Sequence, residues 1–156
     1  MLLKDKVVIV SGIGPGLGQE LSTLAAKEGA KAVVLAARTA AKLDVAEQEI
    51  NALGLGTAVL KVVTDISDQA QCQALADRAV AEFGRIDVLF NSAYDPGSFE
   101  PIESASMDGW RRAMDVNFFG TMYLTQACVP HMKKSGGGAI VMIATMVEHK
   151  PLATQA

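Results

Sequence analysis

The chain has 156 residues, half of them apolar and a fifth charged. That is one domain's worth of globular composition with ample material for a core. A net charge of −3 and a pI near 5.3 offer no general attraction to nucleic acid or to an anionic membrane, so neither is expected as a partner.

Cys72 and Cys128 are far apart and lack CxxC spacing. Both read as small core residues, and neither a metal site nor a disulfide framework is expected. The N-terminus does not read as a signal peptide: charges follow Leu3 at once, and the apolar run 7–10 is far too short. No segment reaches membrane-spanning length, and the expected location is the cytoplasm.

Along the chain, apolar runs alternate with amphipathic stretches. Residues 7–10 (Val-Val-Ile-Val) predict a buried strand. Residues 17–27 carry Leu17, Leu21, Leu24 and Ala25 at helical spacing, and Gly29 closes that helix. A second strand over 33–37 is followed by a helix over 40–53 with Leu43, Ala46, Ile50 and Leu53 on one face. A third strand spans 57–63. A helix over 68–83 then turns Cys72, Leu75, Ala76, Ala79 and Phe83 inward. A fourth strand spans 86–90, a loop with Pro96, Gly97 and Pro101 follows, and one long helix is predicted over 106–134. Gly136-Gly137-Gly138 ends it before a fifth strand over 139–143.

Val-, Ile- and Leu-rich strands separated by helices indicate an α/β fold with a parallel sheet and helices on both faces. Right-handed crossovers leave the doubly wound (Rossmann) arrangement, strand order 3-2-1-4-5, as the expected topology. The whole chain, 1–156, reads as one dinucleotide-binding domain without a second domain. The fifth strand is expected to be an open apolar edge. That predicts a chain incomplete at its C-terminus or partnered there.

Gly12, Gly16 and Gly18 lie between the first strand and the first helix. Gly12 suits a sharp turn, Gly16 a close approach to a pyrophosphate, and Gly18 close packing of helix on sheet. The helix start, Leu17, presents unpaired N–H groups to phosphates. The end of the second strand reads Ala36-Ala37-Arg38-Thr39 and supplies no carboxylate for a ribose 2′-OH. Arg38 suits a 2′-phosphate instead, so NADP is the expected cofactor and NAD the alternative. Lys42, one helical turn on, is placed to assist; the other reading of Arg38 is a solvated loop residue. Asp65 is placed to accept from an adenine amino group beside the Ile66 N–H, or else simply flanks a helix. Asn117 falls on the apolar stripe of its predicted helix with Trp110, Ala113, Leu124 and Cys128, where a polar amide must be hydrogen-bonded. It serves either a site or a structural bridge from helix to sheet.

These motifs together resemble the short-chain dehydrogenase/reductase family. The family's TGxxxGxG is similar to Ser11–Gly18, with Ser for Thr, and its NNAG to Asn91-Ser92-Ala93-Tyr94. The resemblance extends to Asp115-Val116-Asn117 in the long helix and to the segment 138–145. It runs through the whole chain, in order. It implies an oxidoreductase passing hydride between NADP(H) or NAD(H) and a carbonyl or secondary alcohol substrate. It also implies contacts from Ser11, Thr39, Asn91, Ser92 and Ala93 to the cofactor, and catalytic positions at Asn117 and Thr145, the latter in place of the family's Ser. The family's Tyr-x-x-x-Lys falls, by resemblance, beyond Ala156, and neither Tyr94 nor Tyr123 is followed by Lys four residues on. The chain alone is therefore expected to be inactive, or else a nucleotide-binding module without turnover. Tyr94 departs from the family's Gly, and Glu148 and His149 would border the substrate pocket. The resemblance further implies a dimer or tetramer, with the helix over 106–134 at one interface.

Overall fold

Apolar runs buried on both sides account for the centre of the fold. The computed structural model describes residues 1–98 and 100–145; Glu148 and His149 lie outside these. Strands β1 (Val7–Ser11), β2 (Ala32–Ala37), β3 (Ala58–Val63), β4 (Val88–Asn91) and β5 (Ala139–Met142) form one parallel sheet, ordered β3-β2-β1-β4-β5. This is the expected doubly wound order. Every residue of β1 and β2 is buried. Alternate side chains point to opposite faces, so Val7, Ile9 and Val34 join one cluster while Val8, Val10 and Val33 join the other.

Helices α1 (Leu17–Lys27) and α2 (Ala40–Ala52) supply Ala25, Ala26, Leu43, Ala46 and Ile50 to one face. Helix α3 (Gln69–Phe83) covers the other with Cys72, Leu75, Ala76 and Ala79. Each fully buried Leu or Val contributes about 1.5–3 kcal/mol. Asp68 caps α3 by accepting from the Ala70 and Gln71 N–H groups, and Gly84, at φ 80°, ends it. Both thiols are free and buried. Burial, with the charges of Asp68 and Asp65, pushes Cys72 up to about 12, and burial beside Cys72 does the same to Cys128. Thiols held protonated in this way are inert packing groups.

The predicted single helix over 106–134 requires a correction. It is built as α4 (Met107–Met114), a π-helical segment (Asp115–Gly120) and α5 (Thr121–Lys134). The wider turn inserts residues into the 3.6-residue period. Val116 and Gly120 therefore take the inward positions, and Asn117 is exposed, off the apolar stripe that carries Leu124 and Cys128. Gly120 sits where a Cβ would lie 2.8 Å from both the side chain and the carbonyl of Ile66. Only a glycine lets the helix settle against the loop that follows β3.

The amino end of the sheet is tied by Asp87, only 3% exposed. Its carboxylate accepts from the Val7 N–H at 2.9 Å and from Arg85 Nε at 2.8 Å, with Lys6 Nζ 3.6 Å away. Burial opposes its ionisation, but Arg85, the Val7 N–H and the Lys6 charge together outweigh it and hold the carboxyl below its ordinary range. At the other side of the sheet, β5 is the outer strand and leaves Val141 and Met142 exposed. Among the described residues no helix is long and apolar enough to cross a membrane, and no group of His, Cys, Asp or Glu side chains could hold a metal ion.

Candidate functional site

The strand order reverses between β1 and β4, the point at which doubly wound sheets open a crevice at their carboxyl ends. Here β1 and β4 pair with Ser11 opposite Asn91, and the chain leaves both strands side by side. A cleft of about 450 Å³ opens there. Its floor is formed by Gly12, Ile13, Gly14, Pro15, Leu17 and Gly18 of the turn after β1. One wall is the β2–α2 connection with Arg38, Thr39 and Lys42, and another is Thr64, Asp65 and Ile66 after β3. Ser92, Ala93, Tyr94 and Val116 close the remaining side.

The glycines shape this floor individually. At Gly12, φ is 84°, and an added Cβ would overlap the backbone of Ser92 and Ala93. The turn and the β4 loop therefore touch directly. Gly16 has φ 118° and ψ −142°, a conformation open to glycine alone, and nothing lies within 4 Å of the place a Cβ would take. At Gly18 an added Cβ would overlap the Gly12 carbonyl, so its tight contact is with the turn and not, as expected, with the sheet. No side chain caps the start of α1. Its first N–H groups, with no intrahelical acceptors, remain available to an anion. A glycine floor, open space above Gly16 and uncapped donors together fit a pyrophosphate.

Arg38 and Lys42 stand at the cleft wall, and among the described residues neither has an ion-pair partner within 4.0 Å. Lys42 Nζ lies 3.6 Å from the Cβ position of Gly14, so it reaches across to the turn. Thr39 is the N-cap of α2, without a side-chain cap bond. One oxygen of Asp65 accepts from the Ser67 N–H at 3.0 Å and from the Ser67 hydroxyl at 2.7 Å. Thr64, buried beneath, donates to the Val62 carbonyl. Thr64 and Val116 line the cleft without having been expected there. Only the sheet register and the π-helical phase place them.

Ser11 and Asn91 stand apart from the cleft lining. The Ser11 hydroxyl donates to the Phe90 carbonyl at 3.3 Å inside the sheet. Asn91 Nδ2 donates to the Thr125 hydroxyl at 3.2 Å. Asn117 also lies outside the lining but touches it indirectly. Its Oδ1 accepts from the Asp95 N–H and its Nδ2 donates to the Asp95 carbonyl, each at 2.8 Å. The structural bridge that its amide makes therefore runs to the β4–α4 loop and not to a strand. Thr145 is exposed, three residues beyond the end of β5.

Asp95 is itself held. Its carboxylate accepts from the Gly97 N–H at 2.9 Å and from Arg112 Nε at 3.0 Å. The Gly97 N–H, working against partial burial, together with the Arg112 and Arg38 charges, keeps this carboxyl below its ordinary range.

Known proteins share this arrangement. The family model described as "short chain dehydrogenase" matches residues 6–156. An uncharacterized oxidoreductase of Staphylococcus saprophyticus is 36% identical over 148 residues, which cover 94% of this chain and 57% of that protein. One of Methylorubrum extorquens is 36% identical over 156 residues, covering 99% and 60% respectively. The crystal structure of an NAD+-bound xylitol dehydrogenase superposes with TM-score 0.93 at 27% identity, covering 99% of this chain and 58% of its own. A levodione reductase structure gives TM-score 0.93 at 28% identity, covering 99% and 59%. The chain thus spans about three fifths of the length of the relatives it matches. By sequence pattern, strand order and cleft, it belongs to the short-chain dehydrogenase family.

Proposed function

We propose that this chain is the cofactor-binding part of an NADP(H)-dependent oxidoreductase acting on a small carbonyl or secondary alcohol substrate. The observation that carries the cofactor reading is the pair of cations Arg38 and Lys42, without ion-pair partners among the described residues, beside a glycine floor, where the end of β2 offers no carboxylate. The β2–α2 wall would hold a 2′-phosphate and would repel nothing on it. The N–H groups at the start of α1 take the pyrophosphate. Asp65 keeps one carboxylate oxygen outside its Ser67 bonds for an adenine amino group, beside the Ile66 N–H. Ser92 and Ala93 pass their backbone along the ribose. When bound, the nicotinamide gives or accepts a hydride.

Thr145 is the hydroxyl assigned to orient the substrate oxygen, and Asn117, the other catalytic position of the family pattern, holds the β4–α4 loop through the Asp95 backbone. Transfer of the substrate proton belongs, by the family pattern, to a Tyr and Lys that the 156 residues do not supply in that spacing. The turnover reading accordingly attaches to a chain that contains them. A dimer or tetramer, as the family resemblance implies, and a cytoplasmic location are part of the proposal.

The nucleotide reading is tested by following backbone amide resonances while NADP is added. Shifts are expected at Gly14, Gly18, Arg38, Ile66 and Ala93, and none at Gly136 or Gly137 at the far end of the sheet. Changes confined to the far end would overturn it.

A further inference from the structure

The β4–α4 loop is fastened in a way the nucleotide reading does not require. Asn117 grips the Asp95 backbone through both its N–H and its carbonyl. The Asp95 side chain is 12% exposed and is bound in turn by Arg112, whose own side chain is 61% exposed on α4. Directly before Asp95 come Ser92, Ala93 and Tyr94, which wall the cleft, and Ser92 and Ala93 press on Gly12 so closely that no Cβ fits. Arg112 is thus linked to the glycine turn by two contacts, Arg112 to Asp95 and Ala93 to Gly12, joined by the loop backbone between them.

We propose that the Arg112–Asp95 ion pair is a positioning device that sets the width of the nucleotide cleft from outside it. The inference rests on the cleft being a nucleotide site. The Gly97 N–H takes Asp95 Oδ1 and Arg112 Nε takes Oδ2, so the two contacts fix both oxygens of the carboxylate, one from the loop itself and one from α4. Tyr94, 67% exposed, lines the cleft and directly precedes Asp95 in the chain. With the pair broken, the loop keeps its Asn117 clamp but loses its tie to α4, and both Tyr94 and the Ala93–Gly12 contact loosen.

The test titrates NADP into the chain and into Arg112→Ala, Arg112→Lys, Asp95→Asn and the Arg112→Ala/Asp95→Asn double variant. Arg112 is exposed, so its replacement leaves folding intact. Arg112→Ala is expected to raise the Kd about fivefold, the upper range for a partly exposed pair. Asp95→Asn, which also frees Arg38 from the Asp95 charge, should cost no more than that, and the double variant no more than Arg112→Ala alone, because one interaction has been removed twice. Arg112→Lys, which keeps the charge, should recover most of the lost affinity, whereas a purely structural role would show in the melting temperature and leave Kd untouched. Unchanged affinity in Arg112→Ala, losses that add in the double variant, or a Lys variant no better than Ala would each overturn the proposal while the nucleotide reading stands. Failure of the unmodified chain to bind NADP would overturn that reading itself.

Discussion

Asp87→Ala is expected to lower the stability of the chain by about 2–4 kcal/mol. The substitution leaves the buried Val7 N–H without an acceptor at the edge of the core and removes the one carboxylate that Arg85 and Lys6 share. The two cations are partly solvated and recover some of that loss, which keeps the effect below that of a fully buried pair. Domains of this size are stable by about 5–15 kcal/mol, so the change takes a large fraction of the total. Urea unfolding measures it, and a midpoint within experimental error of the unmodified chain would show that the carboxylate contributes little.

The same residue predicts how stability depends on pH. A carboxyl held below its unfolded value contributes stability that is fully present above that value, about 3.9 for Asp, and lost as pH falls through the lower folded value. Asp87, and to a lesser degree the more accessible Asp95, should therefore make the chain fail on the acid side. That acid limb should flatten in Asp87→Ala.

The second large effect concerns the cofactor. Arg38→Ala should weaken NADP binding about ten- to a hundredfold, the worth of a charge-assisted bond to a phosphate, while changing NAD binding far less. Arg38 has no competing partner within ion-pair distance among the described residues, and its charge acts on Asp95 only from beyond that distance. Among the described residues the compensating cation on that wall is Lys42, which reaches toward Gly14 and absorbs part of the loss. Calorimetric titration of both nucleotides reads the ratio directly. An equal loss for both would remove the argument for a 2′-phosphate.

Much of the fold was legible because the strands are buried on both faces. A β-branched run such as Val7-Val8-Ile9-Val10 has few other places to be, and in the structure each of its residues is fully buried. The crevice followed from the same logic, since glycines between strand and helix have a mechanical purpose there. The π-helical turn was not legible. Reading helices at 3.6 residues per turn assigned Asn117 to the inner stripe, and one widened turn moved Val116 there instead. Ser11 and Asn91 match the family pattern, but periodicity says nothing about whether a side chain at a strand end faces the cleft or the neighbouring strand. Both are turned toward other protein groups. The Asp95 node was invisible for a different reason. Its partners Arg112 and Asn117 lie 17 and 22 residues away in sequence, and only the return of α4 past the loop brings them together.

The crevice between β1 and β4 is proposed as the site for a phosphorylated nucleotide. Its most direct test is the melting temperature of the 156-residue chain with and without NADP. At a hundredfold excess over Kd the ligand should add about 2.7 kcal/mol, a rise of several degrees. A rise with NADP that clearly exceeds the rise with NAD is the result predicted here. No shift with either nucleotide at millimolar concentration would contradict it.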